Sequence, residues 1–147
     1  MFAPVHAPLP PARSAPRASS FANAYRQVGV ETGVAAASPH RLVAMLLDGL
    51  FDALQRARTA MAQGDVPARC REIGRAAAIL DEGLLAGLDL AGPGAELARR
   101  LHDVYTCALM QLARANLRAE PEALDEVARM LEPVRDAWSR IAAEVAA

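Results

Sequence analysis

The stretch from Ser38 to Leu54, SPHRLVAMLLDGLFDAL, restricts the folds open to this chain more than any other. Ser38 can accept a hydrogen bond from a free backbone N–H of a first helical turn. Pro39 suits the position after it, where φ is already near its fixed value and no N–H is needed. Leu42, Leu46, Leu50 and Leu54 then recur every fourth residue, with Val43, Met45, Leu47 and Phe51 widening the apolar surface. Such a helix has to be buried among other helices, and apolar positions beyond one ~100°-wide stripe call for a second contact. A broad contact with two neighbouring helices and a margin left for a partner both meet that demand.

The rest of the chain supplies the neighbours. The first helix is expected from about Pro39 to Met61, stopping at Gln63-Gly64-Asp65, where Gly64 suits a left-handed cap and Asp65 can cap the next helix. That second helix, with Pro67 in its first turn, carries Ile73, Ala77, Leu80, Leu84 and Leu88 as its inward stripe and runs to the Gly92-Pro93-Gly94 turn. Gly83 and Gly87, one turn apart within it, form a notch that serves either close helix packing or a groove for a partner backbone. The third helix, Ala95 to Ala119, shows Leu97, Leu101, Val104, Ala108, Leu112 and Ala115 on one face, with Tyr105 and Leu109 beside them. The fourth opens at Pro121, and its Leu124, Val127, Leu131, Val134, Trp138, Ile141 and Val145 alternate by three and four. Pro133 leaves one carbonyl in this helix without a partner, and a mild kink is expected there. Short connections force antiparallel neighbours, so residues 38–147 read as an all-α, up-down four-helix bundle. Residues 21–37 read as a cap segment in which Phe21, Tyr25 and Val28 fall at i, i+4 and i+7. Residues 1–20, with half of the ten prolines, read as a disordered leader.

Charge and composition exclude several functions. The net charge is −1; the first 37 residues carry three arginines against Glu31, leaving the body weakly acidic. No basic stripe exists to track a phosphate backbone, which argues against nucleic acid. No apolar run approaches the ~20 residues that span a bilayer, so membrane insertion is not expected. Prolines break up the N-terminal residues too often for a secretory signal or an amphipathic transit helix, and the chain reads as cytosolic. Cys70 and Cys107 read as isolated, buried free thiols.

Chemistry is sparse. His6, His40 and His102 are scattered, Glu-x-x-His is absent, and neither cysteine has zinc-ligand spacing. Gly92-Pro93-Gly94 is not followed by the Lys-Ser/Thr of a phosphate loop. We therefore expect no enzyme, no metal and no cofactor. A histidine phosphotransfer-type signalling bundle, with His102 as the acceptor, and a purely structural oligomerising bundle remain as alternatives.

Three stretches in combination carry a family resemblance: Tyr25 followed by ASPHRLVAMLLDGL (Ala37–Leu50), the break AQGD (Ala62–Asp65), and LARANLRAEPEALDEVARMLEPVRDAW (Leu112–Trp138). From roughly Phe21 to Ala143 the chain resembles the flagellar secretion chaperone FliS family. It departs from the family pattern at Leu47, often aromatic, and at Ala36, where threonine is usual. The resemblance implies a cytosolic bundle that binds the disordered C-terminal segment of flagellin, prevents premature polymerisation and delivers the subunit to the flagellar type III export gate. It also implies that the N-terminal segment, through Phe21, Tyr25 and Val28, can lie on the bundle as a plug that competes with the client. Leu47, Phe51, Leu84, Leu85, Tyr105, Leu109 and Asn116 are the candidate groove residues, and a homodimer is left open.

Overall fold

The computed structural model describes residues 38–146, which form four helices and the turns between them. The leader and the cap segment, with Phe21, Tyr25 and Val28, lie outside the described residues. Helix α1 spans Pro39–Gln63, and α2 spans Val66–Ala78 and widens into a π-helical segment over Ile79–Leu85. Helices α3, Ala95–Arg118, and α4, Pro121–Ala146, complete the set. Sequential neighbours pack together and α4 returns to α1, closing the ring of an antiparallel four-helix bundle.

The helix ends follow local chemistry. Ser38 Oγ accepts from the Arg41 N–H at 3.2 Å, with Pro39 in the first turn. Gly64 terminates α1 at φ 68°, and the Asp65 N–H donates back to the Ala60 carbonyl at 2.9 Å. Asp65 then caps α2 through Oδ1, which accepts from the Ala68 N–H at 3.1 Å. The second connection is longer. Asp89 Oδ1 accepts from the N–H groups of Ala91 and Gly92, and the Asp89 carboxylate stands where a side chain at position 92 would have to go.

The core is almost wholly aliphatic. Leu46, Leu47 and Leu50 of α1, Ile79 and Leu80 of the π-helical segment, Leu112 of α3, and Leu124, Val127 and Leu131 of α4 are all buried. Each such side chain removed from water is worth about 1.5–3 kcal/mol before entropy is counted. Ion pairs fix the register from outside. Arg75 of α2 reaches Asp52 of α1 at 2.9 Å and holds its carboxyl below the usual carboxylate range. Arg135 of α4 reaches Asp48 at 2.9 Å, and Arg58 meets Asp125. The pairs of Arg135 and Arg58 are solvent-exposed, so they align the helices more than they stabilise them, whereas the Arg75 side chain is mostly buried.

The structure departs from the sequence reading in four places. The second helix stops at Leu85 instead of continuing to Gly92. Its last turns widen, the Ala86 N–H reaching the Asp81 carbonyl five residues back, and this lets the consecutive residues Ile79 and Leu80 both face inward. The inner line of α3 runs through Ala98, Leu101, Tyr105, Ala108, Leu112 and Ala115. Leu97, one residue off that three-four alternation, is 63% exposed, and Val104 is half-buried. On α4 the seam is buried through Leu131, half-buried at Val134 and Trp138, and exposed at Ile141. Both thiols are free but exposed; Cys70 Sγ donates to Asn116 Oδ1 at 3.4 Å across α2 and α3.

Candidate functional site

One end of the bundle is not filled. At the end where α1 begins, a cavity of about 350 Å³ opens between the first turns of α1, the π-helical segment and the residues after it, the N-terminal half of α3 and the C-terminal half of α4. Its walls are Pro39, His40, Leu42 and Val43 from α1, Gly83 and Leu84 from the π-helical segment, Gly87 and Leu88 from the connection after it, Leu101 and Tyr105 from α3, and Trp138 from α4. The volume accommodates two bulky aliphatic side chains, and the lining is almost entirely apolar. It is an apolar receptacle, with nothing in it to perform covalent chemistry.

Each wall has a sequence cause. Pro39 starts α1, and His40, Leu42 and Val43 of its first turns stand at the rim. Gly83 and Gly87 carry no side chain to fill the space between Leu84 and Leu88, so the glycine notch serves as a cavity wall. Trp138 closes the side from α4 and leans against His40, ring centroids 5.3 Å apart at 43°. Among the described residues His40 Nδ1 is buried there without a hydrogen-bond partner, although buried polar atoms are nearly always paired. Tyr105 forms the floor, 2% exposed, and burial pushes its phenol up to about 12.

Of the seven groove candidates, the structure brings Leu84 and Tyr105 together at this cavity. Leu47 is 0% exposed and belongs to the core, so it presents no surface to a partner in this conformation. Phe51 is half-buried between α1 and α4, with the Arg135 guanidinium 4.7 Å over its ring. Leu85 and Leu109 are half-buried against the core, and Asn116 is occupied by Cys70. His40, Leu42, Val43, Leu101 and Trp138 were not among the candidates. No local signal marks them: they come from three helices and meet only when the bundle is assembled. His102 lies exposed on α3, its Nδ1 3.7 Å from Asp103 Oδ1. No helix among the described residues is long and apolar enough to cross a membrane.

Comparison with known proteins agrees with this architecture. The family model for flagellar protein FliS matches residues 21–145. The chain belongs to the FliS family. The flagellar secretion chaperone FliS of Salmonella typhimurium is 43% identical over 123 residues, covering 84% of this chain and 90% of that protein. FliSB of Pseudomonas aeruginosa is 37% identical, covering 80% of this chain and 91% of its own length. FliS of Vibrio cholerae is 32% identical, covering 82% and 88%. The FliS match begins at Phe21, so it takes in the cap segment as well as the bundle.

Proposed function

We propose that this chain is a flagellar secretion chaperone that binds the C-terminal segment of flagellin in the cytosol, keeps it from polymerising early and hands it to the export gate. The observation that carries the reading, together with the FliS-family match, is the open apolar cavity at the α1 end of the bundle. A client segment that is disordered when free must fold as it binds, and a preformed apolar receptacle lowers the ordering cost of its first anchor. Coupled folding of this kind typically buries about 1,000–3,000 Å², far more than the cavity offers. The client would therefore anchor at Leu84, Tyr105 and Trp138 and extend onto the neighbouring helix faces, where Phe51, Leu85, Leu109 and Asn116 are half-exposed.

Phe21, Tyr25 and Val28 would occupy the same cavity when no client is present, since Pro39, one residue into the described chain, stands in its wall. The test is titration with a flagellin C-terminal peptide, followed by calorimetry. Val43→Glu, which places a charge in the apolar wall, is expected to weaken binding by about tenfold or more, each tenfold being about 1.4 kcal/mol. Deletion of residues 1–30 should tighten or accelerate it. Unaltered affinity in Val43→Glu would remove the cavity from the client site, and unaltered affinity and rate in the deletion would remove the plug.

A further inference from the structure

We propose that the leader, residues 1–20, docks on an apolar collar around the mouth of the cavity and is directed there by Arg13 and Arg17, which face the acids of the second connection. Segment and surface both differ from those of the client reading: Phe21, Tyr25 and Val28 take no part, and the collar lies outside the cavity.

The apolar lining does not stop at the rim. Leu88 lines the cavity, and Leu90, two residues on, is 45% exposed. Leu101 lines it, and Leu97, one turn earlier on α3, is 63% exposed. Trp138 lines it, and Ile141, three residues on along α4, is 38% exposed. Single exposed aliphatic side chains are ordinary, but three from three elements around one opening mark a surface that something covers.

Charge indicates what covers it. From Ala76 to Ala98 the chain has four acids, Asp81, Glu82, Asp89 and Glu96, and no basic residue, although it carries 16 arginines elsewhere. Residues 1–30 are the converse, with Arg13, Arg17 and Arg26 and no acid. Among the described residues Asp81 and Glu82 form no ion pair, whereas Glu96 meets Arg100 at 2.9 Å and Asp89 Oδ1 is taken up by the turn. The exposed Met110 and Leu117 suit a basic segment less, because Arg114 and Arg118 stand beside them on α3. The FliS match begins at Phe21, so residues 1–20 lie outside it. Twenty residues separate Arg17 from Ser38, which adjoins Pro39 of the cavity wall. Extended, they span roughly 65 Å, against about 37 Å for the length of α1. Reach is thus ample, and the choice of site falls to chemistry. A proline-rich segment docks at low ordering cost because its φ angles are already fixed, and the tether holds it at an effective concentration of about millimolar.

The test places a nitroxide on Ser14→Cys in a full-length Cys70→Ser, Cys107→Ser chain and records amide line widths by NMR, with no client present. Residues 88–97 should broaden selectively, and the broadening should fade as salt is raised from about 0.05 to about 0.5 M. Arg13→Glu with Arg17→Glu should lower the docked-to-free ratio about tenfold, and Asp81→Arg with Glu82→Arg should do the same. All four together should restore it, because partners in one contact do not add. Leu90→Ser with Leu97→Ser, both at exposed positions, should also release the leader. Absence of selective broadening at residues 88–97 overturns the proposal, as does broadening centred on Met110 and Leu117. Broadening that ignores salt, or charge reversals whose effects add, would overturn it too, since the arginines would then direct nothing. No flagellin peptide enters the measurement, so failure of the client reading would leave its outcome unchanged.

Discussion

The two ends of this bundle are built on opposite plans. At the end bearing the α1–α2 and α3–α4 turns, the facing positions are small: Ala57 and Ala60 of α1, Ala115 of α3 and Ala123 of α4 are buried, interspersed with Leu112, Leu124 and Val127. Alanines let helix backbones approach closely, and each turn there needs only two residues, Gly64-Asp65 and Ala119-Glu120. At the other end the facing residues are large, namely Leu84, Leu88, Leu101, Tyr105 and Trp138, and they surround a void. Bulk does not by itself fill a core. Large side chains hold helices apart, and only a matching insert closes the gap, whereas small ones let the helices close it themselves.

Several experiments break or sharpen this contrast. Leu124→Ala at the sealed end is expected to cost about 2–5 kcal/mol in urea denaturation, because a close-packed site cannot relax into the hole. Leu42→Ala, at the rim of the cavity, should cost under about 1 kcal/mol, since much of that side chain is already without neighbours. Equal losses at the two sites would mean that the cavity is closed in solution.

Tyr105 gives the next largest effect. Its phenol titrates at about 12 against an ordinary 10, so the folded state favours the neutral form. The stabilisation is fully present below pH 10, falls as the unfolded chain begins to ionise, and is lost as pH rises through 12. The difference from an ordinary phenol corresponds to about 3 kcal/mol. Thermal melts between pH 9 and 12 should show this decline in the parent and a smaller one in Tyr105→Phe. If water solvated the phenol, the parent would decline no more than Tyr105→Phe.

The smallest effect belongs to the sealed end. Ala119 closes α3 at φ 51°, a left-handed conformation that its counterpart Gly64 adopts without steric cost. Ala119→Gly should stabilise the chain by up to about 1 kcal/mol, read as a rise in denaturation midpoint. Gly64→Ala should do the reverse.

Much of this is legible in the sequence, and the failures have physical causes. Ser38-Pro39 and Gly64-Asp65 announce α1 and its end because capping is a local interaction, complete within a few residues. The seam of α4 is legible through Leu131 because alternation by three and four reports directly on which face is inside. Periodicity misplaces Leu97 and sets Tyr105 beside the line, because it fixes spacing but leaves the phase of a helix to its neighbours. It puts Leu47 at the surface because an over-wide apolar face shows that two contacts exist without saying which residue serves which. The cavity's own residues escape for a related reason. His40 and Trp138 are nearly a hundred positions apart, and nothing local ties one to the other.

The widened turn at Ile79–Leu85 has one more consequence. A π-helical segment holds surplus chain: the same rise could be spanned by fewer residues in a tighter coil. Losing one residue between Ala78 and Asp89 would therefore rotate the segment that carries Gly83 and Leu84, and with them the core residues Ile79 and Leu80. Because the same segment also carries the core residues Ile79 and Leu80, a change of length here would reshape the cavity wall and repack the core beneath it.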